Sequence, residues 1–268
     1  LTRGRGQKTR TRVGPRKLEP EQAAALAKRL RDEDEDVRKA ACEALGTLGP
    51  SPPVLDHVAT LAGRLKDRED SVREAACAAL GALGSPAAVH AMALALCVGD
   101  ESEEVCRSAQ TALRIFGAAA LPHVAELALR LQDQNDETRQ VACKALKALG
   151  AEAVQAHASL LVTCLSDAEE DVREAACRAL GVLGPASAPE HLEALAVCLH
   201  DRDSDVRRAA CEALGALGAG AALHAEALVE CTSDGDPEVC KVARRCLEIT
   251  EQRAELEALV RELGAIAG

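Results

Sequence analysis

The chain has almost no aromatic side chains: one Phe, no Tyr and no Trp among 268 residues. Phe116 is then its single large ring, which excludes a core of interleaved aromatics, a base-stacking platform and an aromatic cage for a cation. The β-branched and aromatic residues of a sheet protein are scarce. Ala and Leu are strong helix formers, and small side chains let helix axes approach closely, so an apolar fraction of 48% spread over such residues predicts an all-α fold.

Close cysteine pairs are also missing. Twelve cysteines without a CxxC spacing point away from a secreted disulfide framework and toward an intracellular, reducing compartment, cytoplasmic or organellar. The longest uncharged stretch, Ala75 to Gly99, has 25 residues but is interrupted by Gly81, Gly84, Pro86 and His90, so no membrane span is expected. The first residue is Leu1 rather than Met, which we read as a sign that sequence upstream was removed or is missing, a processed targeting segment being one option.

Charge is unevenly divided. Residues 1–17 hold seven basic groups (Arg3, Arg5, Lys8, Arg10, Arg12, Arg16 and Lys17) and no acid, which leaves 25 basic against 43 acidic residues, or −18, for the rest. With almost no apolar periodicity, this N-terminal arm is expected to be disordered in isolation. Three uses compete for it: a solvated tail, an arm that docks on an acidic protein surface, and a binder of nucleic acid or anionic lipid. A −18 body repels phosphate backbones, so nucleic acid is the weaker choice of partner.

What the sequence has in abundance is repetition. Asp, four residues, then Val-Arg recurs at Asp32/Val37/Arg38, Asp67/Val72/Arg73, Asp167/Val172/Arg173 and Asp201/Val206/Arg207, with looser copies from Asp100, Asp133 and Asp234. Successive Asp positions lie 35, 33, 33, 34, 34 and 33 residues apart, which defines seven repeats. Leu stands eight residues after each Val position (Leu45, Leu80, Leu113, Leu146, Leu180, Leu214, Leu247) and another six before each Asp (Leu26, Leu61, Leu94, Leu127, Leu161, Leu195, Leu228). Val37, Ala41, Leu45 and Leu48 form a helical stripe, as do Ala23, Leu26, Ala27 and Leu30. Asp36, Asp171 and Asp205 have the chemistry of N-caps for the second helix, and Gly46/Gly49, Gly81/Gly84, Gly181/Gly184 and Gly215/Gly218 are expected to end it. A helix pair of this size cannot bury its stripe alone, so neighbours must stack into a solenoid.

The segments DEDEDVRKAACEALGTLG, DREDSVREAACAALGALG, DAEEDVREAACRALGVLG and DRDSDVRRAACEALGALG resemble the HEAT-repeat family, especially its short bilin-lyase-like subgroup, and the resemblance runs from residue 18 to about 250. It implies a right-handed α-solenoid of seven HEAT-like repeats, with first helices on the convex face and second helices on the concave face. It also implies a ladder between repeats, made by the turn Asp residues (Asp32, Asp67, Asp100, Asp133, Asp167, Asp201, Asp234) and Arg38, Arg73, Arg139, Arg173 and Arg207. Repeats three and seven depart, with Cys106 and Cys240 in the Arg position and Arg107 and Lys241 one place later. Residues 251–268 read as a capping helix and tail, with Leu256, Leu259, Val260 and Leu263 on one stripe.

Function on this reading is protein binding without catalysis or cofactor: a scaffold, or an adaptor subunit of a larger assembly. The alternative is a chromophore-lyase-like subunit acting with a second chain, because the subgroup resemblance lies in the repeats themselves. The iron-dependent hydroxylases built on such repeats carry His-Glu pairs, and this chain has no His-Glu dipeptide. Positions two and six after the Val vary where the core does not, so Lys39, Glu43, Arg107, Lys144, Arg178, Arg208, Lys241 and Arg245 are the candidate partner-binding residues of the concave face.

Two residue columns complete the reading. His57, His90, His123, His157, His191 and His224 stand ten residues before successive turn Asp residues. Stacked helix axes lie roughly 8–10 Å apart, too far for such a column to share a metal ion whose ligands sit at about 2.0–2.1 Å. Each ring is expected instead to donate to the unpaired carbonyls ending the preceding second helix. Cys42, Cys77, Cys143, Cys177 and Cys211 share one second-helix position, and Cys97, Cys164, Cys198 and Cys231 one first-helix position, as small packing residues would. Cys106, Cys240 and Cys246 fall out of register and are the thiols to test for reactivity.

Overall fold

In the computed structural model, which describes residues 20–186, 189–218 and 224–249, each repeat is a pair of antiparallel helices joined by the acidic turn. In chain order the pairs are α1 (Pro20–Arg29) and α2 (Glu35–Leu48), α3 (Val58–Ala62) and α4 (Asp70–Leu83), α5 (Ala91–Cys97) and α6 (Glu103–Phe116), and α7 (Leu127–Arg130) and α8 (Asp136–Leu149). They continue with α9 (Ala158–Cys164) and α10 (Glu170–Leu180), α11 (Pro189–Cys198) and α12 (Ser204–Leu217), and α13 (Ala225–Cys231) with α14 over 237–249. No strand occurs among the described residues. The basic arm and the segment expected to form a C-terminal capping helix lie outside them.

Second helices start two residues earlier than the sequence pattern implied. Asp34, not Asp36, caps α2 by accepting from the Asp36 N–H at 2.9 Å, and Asp203, not Asp205, caps α12 by accepting from Asp205 and Val206. Glu169 takes that place before α10, where Asp171 lies in the first turn. A cap must be extended, as Asp34 is at ψ 125°, whereas Asp36 is already helical; its carboxylate then favours the positive end of the helix.

The two glycines ending each second helix do different work. Gly49 and Gly84 have φ of 68° and 64°, the left-handed conformation that terminates α2 and α4. Gly46 and Gly81 lie inside those helices. A Cβ on Gly46 would sit 2.8 Å from the Ala79 Cα of α4, and one on Gly81 would sit 3.1 Å from the Ala112 Cα of α6. Gly181 and Gly215 face Ala213 and Cys246 in the same way.

The first helices are broken rather than continuous. A short helical turn leads into His57, His90 and His157, and at these residues and His224 φ lies between −97° and −121° and ψ between 6° and 19°, with the α-helix proper beginning at the next residue. The main chain of His57 and His157, accepting from Leu61 and Leu161 at 3.0 Å, opens the helix. Among the described residues, the rings of His57, His90, His123 and His157 make no hydrogen bond to the preceding second helix, contrary to the expected role. His191 differs in lying buried within α11.

Leu45, Leu80, Leu113, Leu146, Leu180 and Leu214 are buried, as are Leu61, Leu94, Leu127, Leu161, Leu195 and Leu228, and together they run as one core along the stack. Each contributes on the order of 1.5–3 kcal/mol by leaving water. Leu48 departs from its expected burial at 40% exposure, although its counterparts Leu83, Phe116 and Leu149 are covered. Among the described residues no repeat precedes the first to cover it. Second helices pack against their successors along most of their length, whereas first helices barely touch one another. The closer row lies on the inside of the bend, so the second helices form the inner row.

Candidate functional site

The turns carry a bidentate ladder. Arg38 donates through Nε and Nη2 to both carboxylate oxygens of Asp67, at 2.9 and 2.8 Å, while its Nη1 donates to the carbonyls of Asp32 and Glu33. The same fork joins Arg73 to Asp100, Arg139 to Asp167, Arg173 to Asp201 and Arg207 to Asp234, each at 2.7 or 2.8 Å. Each guanidinium thus ties its own turn to the next repeat, a geometry Lys cannot reproduce. These bonds hold Asp100, Asp167 and Asp234 below the usual carboxylate range. Burial opposes ionisation at Asp67 and Asp201, yet Arg38 and Arg173 still keep both low.

One rung is missing inside the array. Cys106 donates to the Asp100 carbonyl at 3.0 Å, copying the local half of the Arg pattern, and Asp133 receives no guanidinium from repeat three. Its carboxylate, like that of Asp32 in the first repeat, only accepts from a turn amide, at 2.9 and 3.1 Å. Cys240 repeats the substitution with a 3.1 Å bond to the Asp234 carbonyl. Burial raises the Cys106 thiol and pushes Cys246 up to about 11. Neither has the depressed pKa of a nucleophile. In the packing columns, a hydrogen bond to the facing thiol of the next repeat and burial together raise Cys77, Cys143, Cys177 and Cys211.

The inner row brings only some of the sequence candidates together. Arg107 is paired with Glu103 and Glu104 of its own helix and Lys241 with Glu238, whereas Arg208, besides Asp205, reaches Glu174 at 3.6 Å and shares Glu212 with Arg178. Lys39 and Glu43 are one turn apart on α2, and Arg245 lies at the other end of the array on α14. Lys144 and Arg178, by contrast, line a cleft of about 470 Å³ with Gln110, Arg114, Lys147, Ala148, Glu174, Ala175 and Val182. Arg178 is bonded to Glu174 at 2.8 Å. Among the described residues, Arg114, Lys144 and Lys147 have no ion pair. Partial burial and the nearby Arg178 hold the Lys147 ammonium below its ordinary value, and burial raises the Glu174 carboxyl.

Arg114 and Lys147 escaped the sequence reading, yet the register contains them. They stand nine residues after the Val position, where repeats one, two, five and six have Gly46, Gly81, Gly181 and Gly215. At those glycines even a methyl group would crowd the next helix. With Arg114 at the equivalent place, α6 meets α8 along a shorter stretch than α4 meets α6, and the cleft opens there.

Stacked helix pairs joined by a buried ladder and presenting an inner row of second helices make this an α-solenoid. The model of the family described as HEAT repeats matches residues 23–114, 59–146, 124–197 and 158–248, and the chain belongs to that family. Among solved structures it is similar to Kap121p, with TM-score 0.75 and 16% identity over 92% of this chain and 31% of that one. Kap121p bound to Pho4p compares likewise, at 0.75 and 15% over 88% and 30%, and yeast importin-beta (Kap95p) at 0.65 and 14% over 85% and 35%. The likeness is one of fold, and the chain spans about a third of the length of these solenoids. A search of curated protein sequences finds no match.

Proposed function

We propose that the chain is a non-catalytic protein-binding scaffold, acting as an adaptor subunit of a larger assembly, and that its inner row meets the partner. The observation that carries this reading is the contrast along the second helices. Core positions repeat, whereas the inner-row positions change from Lys39 and Glu43 to Arg107, Lys144 and Arg178 and on to Arg208 and Lys241. A surface that differs at every repeat over a constant core suits recognition of one extended partner. Kap121p, a solenoid of the same fold, binds Pho4p, which supports such use of the fold. Catalysis has no support, since the turn acids serve as rungs or caps and burial raises the Cys106 and Cys246 thiols. Among the described residues no helix is long and apolar enough to cross a membrane. All twelve cysteines are free, which fits residence in a reducing compartment.

The test is reversal of Arg107, Lys144 and Arg178 to Glu together, followed by affinity purification of the full chain and identification of what accompanies it. A defined partner should be lost while the circular dichroism spectrum is retained. An unchanged partner set would move the binding face to the first helices.

A further inference from the structure

The cleft between α6, α8 and α10 brings together four cations and one carboxylate on the inner row of a strongly acidic molecule. Arg178 is spoken for by Glu174, but Arg114, Lys144 and Lys147 line the cleft with no ion-pair partner among the described residues. Two of them stand where repeats one, two, five and six pack glycine against the next helix, and the ladder rung that would draw α6 and α8 together is replaced by Cys106. The floor is apolar, formed by Ala148, Ala175 and Val182. Unpaired cations in a concave, part-apolar site are incomplete without an anion.

We infer that this cleft binds an acidic linear segment of a partner protein, with carboxylates on Arg114, Lys144 and Lys147 and an aliphatic side chain on the floor. The assignment rests on the scaffold reading above and adds the partner's chemistry and its place on the array. Nucleic acid fits less well. The chain has no exposed aromatic on which a base can stack, Phe116 being buried. A free phosphate is more often held by backbone amides at a helix N-terminus, whereas Arg114 and Lys147 belong to the last turns of α6 and α8. A short run of Glu with Leu matches both the charge and the floor.

The experiment uses the full chain and fluorescence anisotropy with a labelled peptide of Glu-Glu-Leu repeats, its Lys-for-Glu counterpart, an oligouridine RNA and inorganic triphosphate. The acidic peptide should bind, should weaken as salt screens the charges, and should lose affinity on the order of tenfold for each of Arg114→Glu, Lys144→Glu and Lys147→Glu. Lys28→Glu, remote and exposed, should leave binding unchanged. Because the three cations are unpaired, these variants should keep the wild-type melting temperature. The double change Arg114→Gly/Lys147→Gly restores the common register and should abolish binding by removing the charges and closing the cleft. Failure of the acidic peptide to bind, binding that survives all three reversals, or tighter binding of RNA or triphosphate lost on the same reversals would each overturn the assignment. If the peptide fails while reversal of Arg107, Lys144 and Arg178 still releases a defined partner, the scaffold reading stands and only the chemistry assigned to the cleft falls.

Discussion

Arg38 serves two repeats at once with its side chain only 5% exposed, and its partner Asp67 is 3% exposed. Removing Arg38 leaves the buried Asp67 carboxylate with Arg64 alone, at 3.0 Å, so Arg38→Ala should cost about 3 kcal/mol, the low end for a broken buried pair, read by urea denaturation. Arg107, an exposed cation paired within its own helix, should cost under about 1 kcal/mol when changed to Ala. The ladder also sets an acid limit. The rung carboxylates have folded pKa values below their unfolded ones, so the unfolded chain binds more protons as the solution becomes acidic. Their contribution is complete above the unfolded value of about 3.9 and is lost as pH falls through the lowered folded values. Melting temperature should therefore drop steeply below about pH 4. Asp167→Asn should lower stability at neutral pH and make that acid drop shallower; an equally steep drop would mean this rung carries no linkage.

At the level of the helix, replacing a helical glycine by alanine ordinarily stabilises by about 1 kcal/mol. At Gly46 the sign should reverse, because the added methyl meets the main chain of Ala79 on the next helix rather than a movable side chain. A Gly46→Ala variant with a raised melting temperature would refute that contact. The same glycine explains what the sequence made legible and what it hid. Spacing of Asp, Val and Leu delimits the helix pairs, because a helix that buries one face must repeat its apolar residues at fixed intervals. The cap positions were displaced from Asp36 to Asp34 and from Asp205 to Asp203, since several acids in one turn can each cap and main-chain conformation decides among them. Two glycines three residues apart read alike as terminators, although one turns the chain and the other is a packing contact with a different helix. For that reason Arg114 and Lys147 were invisible as substitutions for glycine: their meaning lies in the distance to a neighbour that no local pattern encodes.

Across the whole array, the rungs fall into two blocks. Arg38 and Arg73 bind repeats one to three together, and Arg139, Arg173 and Arg207 bind repeats four to seven, with Cys106 at the seam between them. The cleft opens beside the same seam, so the proposed partner would sit across the weakest joint of the solenoid. In a nearest-neighbour stack, stability is a sum of repeat and interface terms, and weakening one interface lets its two sides unfold separately. Leu146 of α8 is fully buried on the repeat-four side, and Leu146→Ala should cost ~2–5 kcal/mol. The loss should not simply lower one sharp transition. Urea unfolding should broaden, with a smaller apparent slope, because each block then exposes only its own share of surface. Hydrogen exchange should show α2, α4 and α6 protected as one group and α10 and α12 as another. Restoring the rung with Cys106→Arg, which offers Asp133 a guanidinium, should recouple the groups and sharpen the transition in the Leu146→Ala background. A single transition that stays sharp in Leu146→Ala and is indifferent to Cys106→Arg would mean that the seam is no joint and that the array unfolds as one block.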